Sequence, residues 1–185
     1  MPRLFMAVRV PPNDNLRRVL GRFQDVRGVK PVEPENLHFT LRFLGDVSDT
    51  VRAALVKVLA NATVSRRPFP VHVHGTSAFP KPVRPSVVWA GVDEGADGLK
   101  ALAKEVDHLA LELGLGDRDK PFVPHLTLAR VKDKGGRGQE QAARVVREEA
   151  EVDHGTFTVD RWVLVHSMLT PAGPEYEDIA EVPLR

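Results

Sequence analysis

Two short stretches of this sequence carry the same pattern of a histidine, an apolar residue, a threonine and a leucine. The first is His38 to Leu41 and the second is His125 to Leu128. The shorter pattern His-x-Thr also occurs at His74 and His154, but there a glycine stands in the middle. Only about 0.03 copies of the longer pattern are expected by chance. The repetition therefore indicates a common function for the two stretches.

The residue types in this pattern suit displacement at a phosphorus atom. On a β-strand, His38 and Thr40 share one face, as do His125 and Thr127, because alternate side chains point the same way. Imidazole is available both neutral and protonated near pH 7, so one histidine can take a proton from water while the other protonates the departing oxygen. The threonine hydroxyls can donate to the non-bridging oxygens. The two histidines are the predicted catalytic residues and the two threonines the predicted phosphate-binding residues.

The same stretches give little support to a metal or another cofactor. Neither motif contains a carboxylate that would complete a coordination shell around His38 and His125. The chain has no cysteine, which excludes disulfides, thiolate chemistry and cysteine-based zinc sites. We therefore predict no metal and no cofactor.

The elements around the motifs occur in the same order twice. Strand, helix, motif strand and helix follow one another from Leu4 and again from Val87. This pseudo-repeat predicts two similar lobes whose motif strands occupy equivalent positions across a cleft. Four helices are predicted. The first follows a cap in "PPNDN" and the second follows a cap at Ser48 or Asp49. The third spans Ala96–Leu113 and the fourth roughly Gln139–Glu149.

Other segments are less regular. The stretch from Gly75 to Ser86 is rich in proline and glycine, which predicts a long loop. Three closing strands are predicted around "TFTVD", "RWVLVHSML" and "YEDIAEVPL". His154 stands beside a glycine, and we expect it at an exposed edge or turn.

Several basic side chains are candidates for contact with the phosphates of a nucleic acid. Arg130 lies five residues after His125, so on a regular strand it points to the opposite face, and a phosphate contact requires the strand to end or bulge first. Lys81, Arg84 and Lys132 fall on predicted loops near the motifs. Base stacking would need an exposed aromatic ring, and Phe43 is predicted to be buried. The aromatic candidates that the sequence does not separate from core residues are Phe5, Phe43, Phe79, Trp89 and Phe122.

The composition is that of an ordinary globular chain. The 185 residues are 42% hydrophobic and 28% charged, with a formal net charge of +1. This length predicts one domain over residues 1–185. The charge balance is too even for a non-specific polyanion-binding protein. The absence of a membrane span and of a signal peptide predicts a cytoplasmic protein with no membrane partner, and we expect a monomer.

The chain resembles the 2H phosphoesterase superfamily in several stretches. These are the paired "HFTL" and "HLTL", the opening "LFMAVRVP", the "FLG" and the later "SMLTPAGPEY". Within this superfamily the chain is similar to the RNA 2′,3′-cyclic phosphodiesterases, also called 2′-5′ RNA ligases. The resemblance implies an α+β fold of two pseudo-symmetric lobes around a central cleft, each a mainly antiparallel sheet with helices on its outer face.

The resemblance also implies an activity. This is metal-independent hydrolysis of a 2′,3′-cyclic phosphate at an RNA end to a 2′-phosphomonoester. His38 would donate the proton to the leaving 3′-oxygen and His125 would accept the proton of water, with Thr40 and Thr127 on the phosphate. The implied partners are RNA ends, including tRNA fragments, or cyclic nucleotides.

Other functions remain open on the sequence alone. The same histidines would serve a 2′-5′ RNA ligase or a phosphodiesterase acting on a small cyclic nucleotide. From a different class, a non-catalytic RNA- or nucleotide-binding module would keep the cleft without the reaction. A histidine-based metal protein is a weaker third hypothesis.

Overall fold

A computed structural model describes residues 1–185 and contains nine strands and four α-helices. The strands are β1 Arg3–Arg9, β2 Val29–Pro31, β3 His38–Asp46, β4 Phe69–Lys81, β5 Arg84–Val92, β6 Leu126–Val131, β7 Asp153–Val159, β8 Arg161–Thr170 and β9 Gly173–Pro183. The helices are α1 Asp14–Gly21, α2 Asp49–Leu59, α3 Ala96–Glu112 and α4 Arg137–Glu148.

The strand order has an internal symmetry. The strands form one antiparallel sheet in the order β7-β4-β5-β6-β3-β1-β8-β9, with β2 paired to β6. Apart from β2, each strand of one half has a counterpart in the other, with β3 matching β6 and β1 matching β5. Between the two halves, β3 and β6 share a single register pair, Phe39 with Leu126. The predicted α+β fold with two pseudo-symmetric lobes and an antiparallel sheet is therefore confirmed.

The helices begin where side-chain caps and apolar stripes predict. The Asn13 side chain accepts a hydrogen bond from the Leu16 amide at 2.8 Å, and Ser48 caps α2 in the same way at 3.2 Å. The apolar stripe of α3 is buried at Leu99 and Val106. None of the four helices combines the length and the apolar content needed to cross a membrane.

The main core lies between the helices and one face of the sheet. It contains 37 buried apolar residues, drawn from the sheet and from all four helices. Helix α3 packs on β3 and α2 on β9, whereas α1 packs on β7 and α4 on β5. The opposite face of the sheet carries a smaller cluster of Phe5, Ala7, Val163 and Val165 with Tyr176 packed against it. We call this second face, which carries His38 and His125, the cleft face.

The prediction of a long loop from Gly75 to Ser86 is wrong. These residues belong to the β4–β5 hairpin, in which Pro80 pairs with Pro85 and Lys81 with Arg84. Strand β7 pairs with β4 only as far as His74, and β6 pairs with β5 only from Val87 onward. Beyond those points the outer edges of the hairpin strands are unpaired, and edge positions are where a sheet tolerates proline.

Candidate active site

The two motif strands present their polar residues on the cleft face. Phe39 and Leu126, at the middle of each His-x-Thr, have no exposed surface and face the main core. The histidines and threonines on either side of them therefore point the other way. The structure thus brings all four predicted residues of the two motifs together at the joint between the two halves of the sheet.

The register at this joint sets the arrangement of the histidines. Phe39 lies directly opposite Leu126 in an antiparallel pair. Counted outward from this pair, Thr127 is the residue nearest in register to His38, and His125 is the residue nearest to Thr40. The two histidines therefore lie diagonally across the joint, close enough for the positive charge of His125 to lower the pKa of His38. This arrangement suits a phosphate group bound with one imidazole on each side.

Both imidazole rings are held in the same way by the backbone. Nδ1 of His38 lies 2.6 Å from the Asn36 carbonyl oxygen, and Nδ1 of His125 lies 2.7 Å from the Val123 carbonyl oxygen. A carbonyl oxygen accepts a hydrogen bond, so Nδ1 carries the proton in each ring. Nε2 of each neutral ring is consequently free to accept a proton, and each protonated ring can donate from Nε2.

The electrostatic environment of His38 disfavours its protonated form. Burial is the main cause that lowers the pKa of His38 to about 4. The positive charges of Arg9, Arg130 and His125 also lower it, whereas the hydrogen bond to the Asn36 carbonyl raises it. His38 is therefore neutral at pH 7 when the cleft is empty. Burial also raises the pKa of the neighbouring Tyr176.

A β-bulge turns Arg130 onto the cleft face. Val88 and Trp89 of β5 pair with Ala129 and Thr127, so Leu128 is the extra residue on β6. Leu128 and Ala129 are both buried and Arg130 is exposed. The bulge therefore shifts the in-and-out alternation of side chains by one residue. The sequence analysis required such a bulge for Arg130 to contact a phosphate.

The equivalent bulge in β3 exposes Phe43. Met6 and Ala7 pair with Arg42 and Thr40, which makes Leu41 the extra residue. Phe43 consequently lies on the cleft face, where 69% of its surface is exposed, and its ring packs against Phe5. The prediction that Phe43 is buried is wrong, because alternation counted along the sequence does not include the bulge. Phe43 and Arg130 occupy equivalent positions in the two motif strands.

Each histidine is flanked by two aromatic rings. The His38 ring centroid lies 5.0 Å from that of Phe5 and 5.4 Å from that of Tyr176. Phe79 and Trp89 lie 5.2 Å and 6.2 Å from the ring of His125. Of the aromatic candidates from the sequence, Phe43 and Phe79 expose large apolar surface. Phe122 instead packs under the guanidinium of Arg118, 5.6 Å from ring centroid to Cζ.

Sequence reasoning missed Arg9 as part of this site. Arg9 is the register partner of His38 across β1 and β3. Its Nε and Nη2 donate to Oδ1 of Asp178 at 3.0 and 2.5 Å, and its Cζ lies 5.8 Å from the centre of the Tyr176 ring. The alternation of Phe5, Ala7 and Arg9 in β1 was the signal that could have placed Arg9 on the histidine face.

The remaining basic candidates lie farther out. Lys81 and Arg84 are exposed register partners at the tip of the β4–β5 hairpin, whose Phe79 contacts His125. Lys132 is exposed just past the end of β6, where its amide donates to the Gly28 carbonyl at 2.7 Å. Lys30, the register partner of Arg130, reaches across to the β8–β9 turn and donates to the Ala172 carbonyl oxygen at 2.7 Å.

His154 does not behave as the sequence predicts. It is completely buried rather than exposed, and neither ring nitrogen has a hydrogen-bond partner. Burial lowers the pKa of His154. No three His, Asp or Glu side chains in the structure are grouped closely enough to hold a metal ion.

Comparison with known proteins places this geometry in a family. The family model described as 2′-5′ RNA ligase superfamily matches residues 11–168. An RNA 2′,3′-cyclic phosphodiesterase of Archaeoglobus fulgidus is 40% identical over 179 residues, covering 96% of this chain and 97% of that protein. Another of Aeropyrum pernix is 40% identical over 154 residues, covering 83% and 85%. A crystal structure from Thermus thermophilus is similar with a TM-score of 0.76 and 32% identity, covering 99% of this chain and 98% of that one.

Proposed function

This chain belongs to the 2′-5′ RNA ligase superfamily, and from that premise we propose that it hydrolyses 2′,3′-cyclic phosphates at RNA ends to 2′-phosphomonoesters. The observation that carries the proposal is the pair of imidazoles, His38 and His125, each fixed by a carbonyl at Nδ1 and each offering Nε2 to the cleft face. We propose further that residues 1–185 act as one bilobal domain, as a cytoplasmic monomer.

The reaction is a single displacement at phosphorus. Nε2 of His125 takes a proton from water as the water oxygen attacks the phosphorus atom. The bond between phosphorus and the 3′-oxygen breaks, and Nε2 of His38 gives its proton to that oxygen. The phosphate remains on the 2′-oxygen. The choice of His38 as donor rests on family resemblance, since the two rings are held alike.

The low pKa of His38 constrains this assignment. With a pKa of about 4, the ring is neutral in the free protein and holds no proton to give. A bound cyclic phosphate brings a negative charge between the histidines, which favours the imidazolium form. Substrate binding therefore raises the pKa of the proton donor toward the range in which it can hold a proton.

The surrounding residues bind the phosphate and the RNA. Thr40 and Thr127 share the histidine face and donate to the non-bridging oxygens, where negative charge develops in the transition state. Arg130 contributes positive charge on the same face. The partner is an RNA end, including the ends of tRNA fragments. The flanking phosphates of that RNA contact Lys81, Arg84 and Lys132.

We propose that ligation, the activity for which the family is named, uses the same two histidines in the same roles. A 5′-hydroxyl of a second RNA takes the place of water, and its oxygen attacks the phosphorus as the 3′-oxygen leaves. The product is a 2′-5′ phosphodiester. Adding a 5′-hydroxyl RNA to the hydrolysis assay measures how the cyclic end partitions between water and RNA.

The experiment that tests the proposal follows a short RNA with a 2′,3′-cyclic phosphate end, incubated with the protein with and without EDTA. The position of the product phosphate is identified by chromatography against 2′- and 3′-phosphate standards. We expect a 2′-phosphate formed at the same rate in EDTA. A 3′-phosphate would contradict the direction of opening, and loss of turnover in EDTA would contradict a metal-independent reaction. Binding without any turnover would instead favour the non-catalytic module.

A further inference from the structure

Asp107 joins two arginines that come from different parts of the chain. Its Oδ1 accepts from Nη1 of Arg42 at 2.9 Å and from Nη2 of Arg118 at 2.8 Å, and its Oδ2 accepts from Nε of Arg118 at 2.8 Å. Arg42 is buried in β3, Asp107 lies on α3, and Arg118 lies in the segment between α3 and β6. We call these three residues the Asp107 clamp.

The clamp holds the bulge in the first motif strand. Leu41, the extra residue of that bulge, directly follows Thr40. Nη2 of Arg118 donates to the Leu41 carbonyl oxygen at 2.8 Å. The neighbouring Arg42 side chain donates from Nη2 to the Gly116 carbonyl oxygen at 2.5 Å. The bulged strand and the segment from Gly116 to Arg118 are therefore fastened to each other at two points.

The same segment leads directly into the second motif. The Arg118 guanidinium packs on the ring of Phe122, and the next residue, Val123, supplies the carbonyl oxygen that accepts from Nδ1 of His125. One side of the clamp thus contacts the backbone beside Thr40. The other side leads, through Phe122, to the backbone group that orients His125.

From this continuity we infer that Asp107 is a positioning residue, which sets the placement of His125 relative to Thr40 and the first motif strand. The inference rests on the proposed function and deepens it. Productive displacement needs reacting groups held closely, and a misplacement of 1 Å can cost about 100-fold in rate. Only one register pair joins β3 to β6, so the sheet ladder supplies little of this constraint by itself.

A second carboxylate in the molecule provides a matched control. Glu149 at the end of α4 also lies between two arginines, at 2.7 Å from Arg18 and 3.0 Å from Arg22. Its side chain is only 4% exposed, and it links α4 to α1 rather than to either motif. Losing its charge costs stability by the same physics but changes no contact of the histidines.

The test compares Asp107→Asn with Glu149→Gln. Both variants should melt at a lower temperature than the wild type. Below both melting transitions, Asp107→Asn should lower kcat for the cyclic-phosphate RNA by about 10- to 100-fold with little change in KM, while Glu149→Gln keeps the wild-type kcat. Arg118→Lys retains the positive charge but cannot make the forked contact to Asp107 and Leu41, so it should also lower kcat.

An Asp107→Asn variant with kcat within about twofold of the wild type would overturn the inference, as would an equal loss in Glu149→Gln. Failure of the proposed function is a separate result, seen as an inactive wild type. In that event the positioning role of Asp107 is tested by the imidazole NMR signals of His125. The inference requires them to shift or broaden in Asp107→Asn and not in Glu149→Gln, and unchanged signals would overturn it.

Discussion

The two motif strands have the same backbone design but different surroundings. In both, a buried apolar residue separates His from Thr, a carbonyl fixes Nδ1, and a bulge follows the threonine. Around His38 the structure adds Tyr176 and the Arg9–Asp178 pair, and its bulge presents Phe43. Around His125 it adds Phe79 and Trp89, and its bulge presents Arg130. Pseudo-symmetry therefore supplies the geometry of two equivalent bases, and the neighbours make them chemically unequal.

The largest effect on activity is expected when each of the two histidines is replaced in turn. His38→Gln and His125→Gln should each lower the single-turnover rate by about 10²- to 10⁴-fold, because each ring transfers one proton in the proposed displacement. His108→Gln, at an exposed position on α3, is the control and should be fully active. If one of the two variants kept its rate, the reaction would need only one imidazole and the two-histidine mechanism would be wrong.

The threonines give a smaller effect. Thr40→Val and Thr127→Val keep the shape of the side chain and remove the hydroxyl donor, so each should lower kcat by about 10- to 1000-fold. Unequal losses would show which side of the phosphate carries more of the developing charge. The comparison uses the same RNA for both variants, and a wild-type rate in both would remove the hydroxyls from the mechanism.

The pH dependence separates the two histidines. We expect a bell-shaped profile of kcat/KM, which reports the ionisations of the free protein, with an acid limb near pH 4 from His38. The lower of the two pKa values sets the acid limb whether His38 is the donor or the acceptor of the proton, because the rate depends on the ionisation of both rings. An acid limb near the ordinary histidine pKa would contradict the lowered pKa of His38.

A single substitution should move that limb. Arg9→Met removes a positive charge that lowers the pKa of His38, so the pKa should rise and the limb should move to higher pH. The movement should be modest because burial is the main cause of the low pKa. Arg3→Met, on the same strand next to exposed Asp46, is the matched control and should leave the profile unchanged.

The smallest effect concerns the outer edges of the two halves. His72 joins β4 to β7 through Asp153 at 3.0 Å and also contacts Asp93 at 2.7 Å, and the hydrogen bond to Asp153 is the main reason that the pKa of His72 is raised. A raised pKa adds stability below the unfolded value near 6.5, and this is lost as pH rises through the folded value.

His72→Gln should therefore lower the melting temperature by less than about 3 °C, and by more at pH 5.5 than at pH 8.5. Arg161→Gln, which removes the exposed pair with Glu181 across β8 and β9, is the control for the other edge. Its effect should not change between the two pH values. An effect of His72→Gln that grew with pH would contradict the raised pKa.

The sequence predicted what depends on local alternation and helical spacing. His38, His125, Thr40 and Thr127 lie on one face as predicted, because the alternation of a strand is local. The four helices begin within two residues of their predicted positions, since caps and apolar stripes are also local.

Features that depend on partners distant in sequence were missed. Phe43 is exposed because of a bulge opposite β1, and the β4–β5 hairpin forms although its tip is rich in proline. His154 is buried by packing that its neighbouring glycine does not indicate. The contacts of Arg9 with Asp178 and of Arg42 with Asp107 span 169 and 65 residues, and no local pattern specifies such pairs.

The strand order also determines where this chain tolerates insertions. His38 begins the central strand β3 and His125 directly precedes the central strand β6. The strands β7 and β9 form the outer edges, and the β4–β5 and β8–β9 turns lie at strand ends. Lengthening a turn costs little entropy and leaves the central register intact. Residues added at either turn would therefore change which RNA structures reach the cleft while the chemistry stays the same, so that substrate choice can diverge by changes in loop length alone.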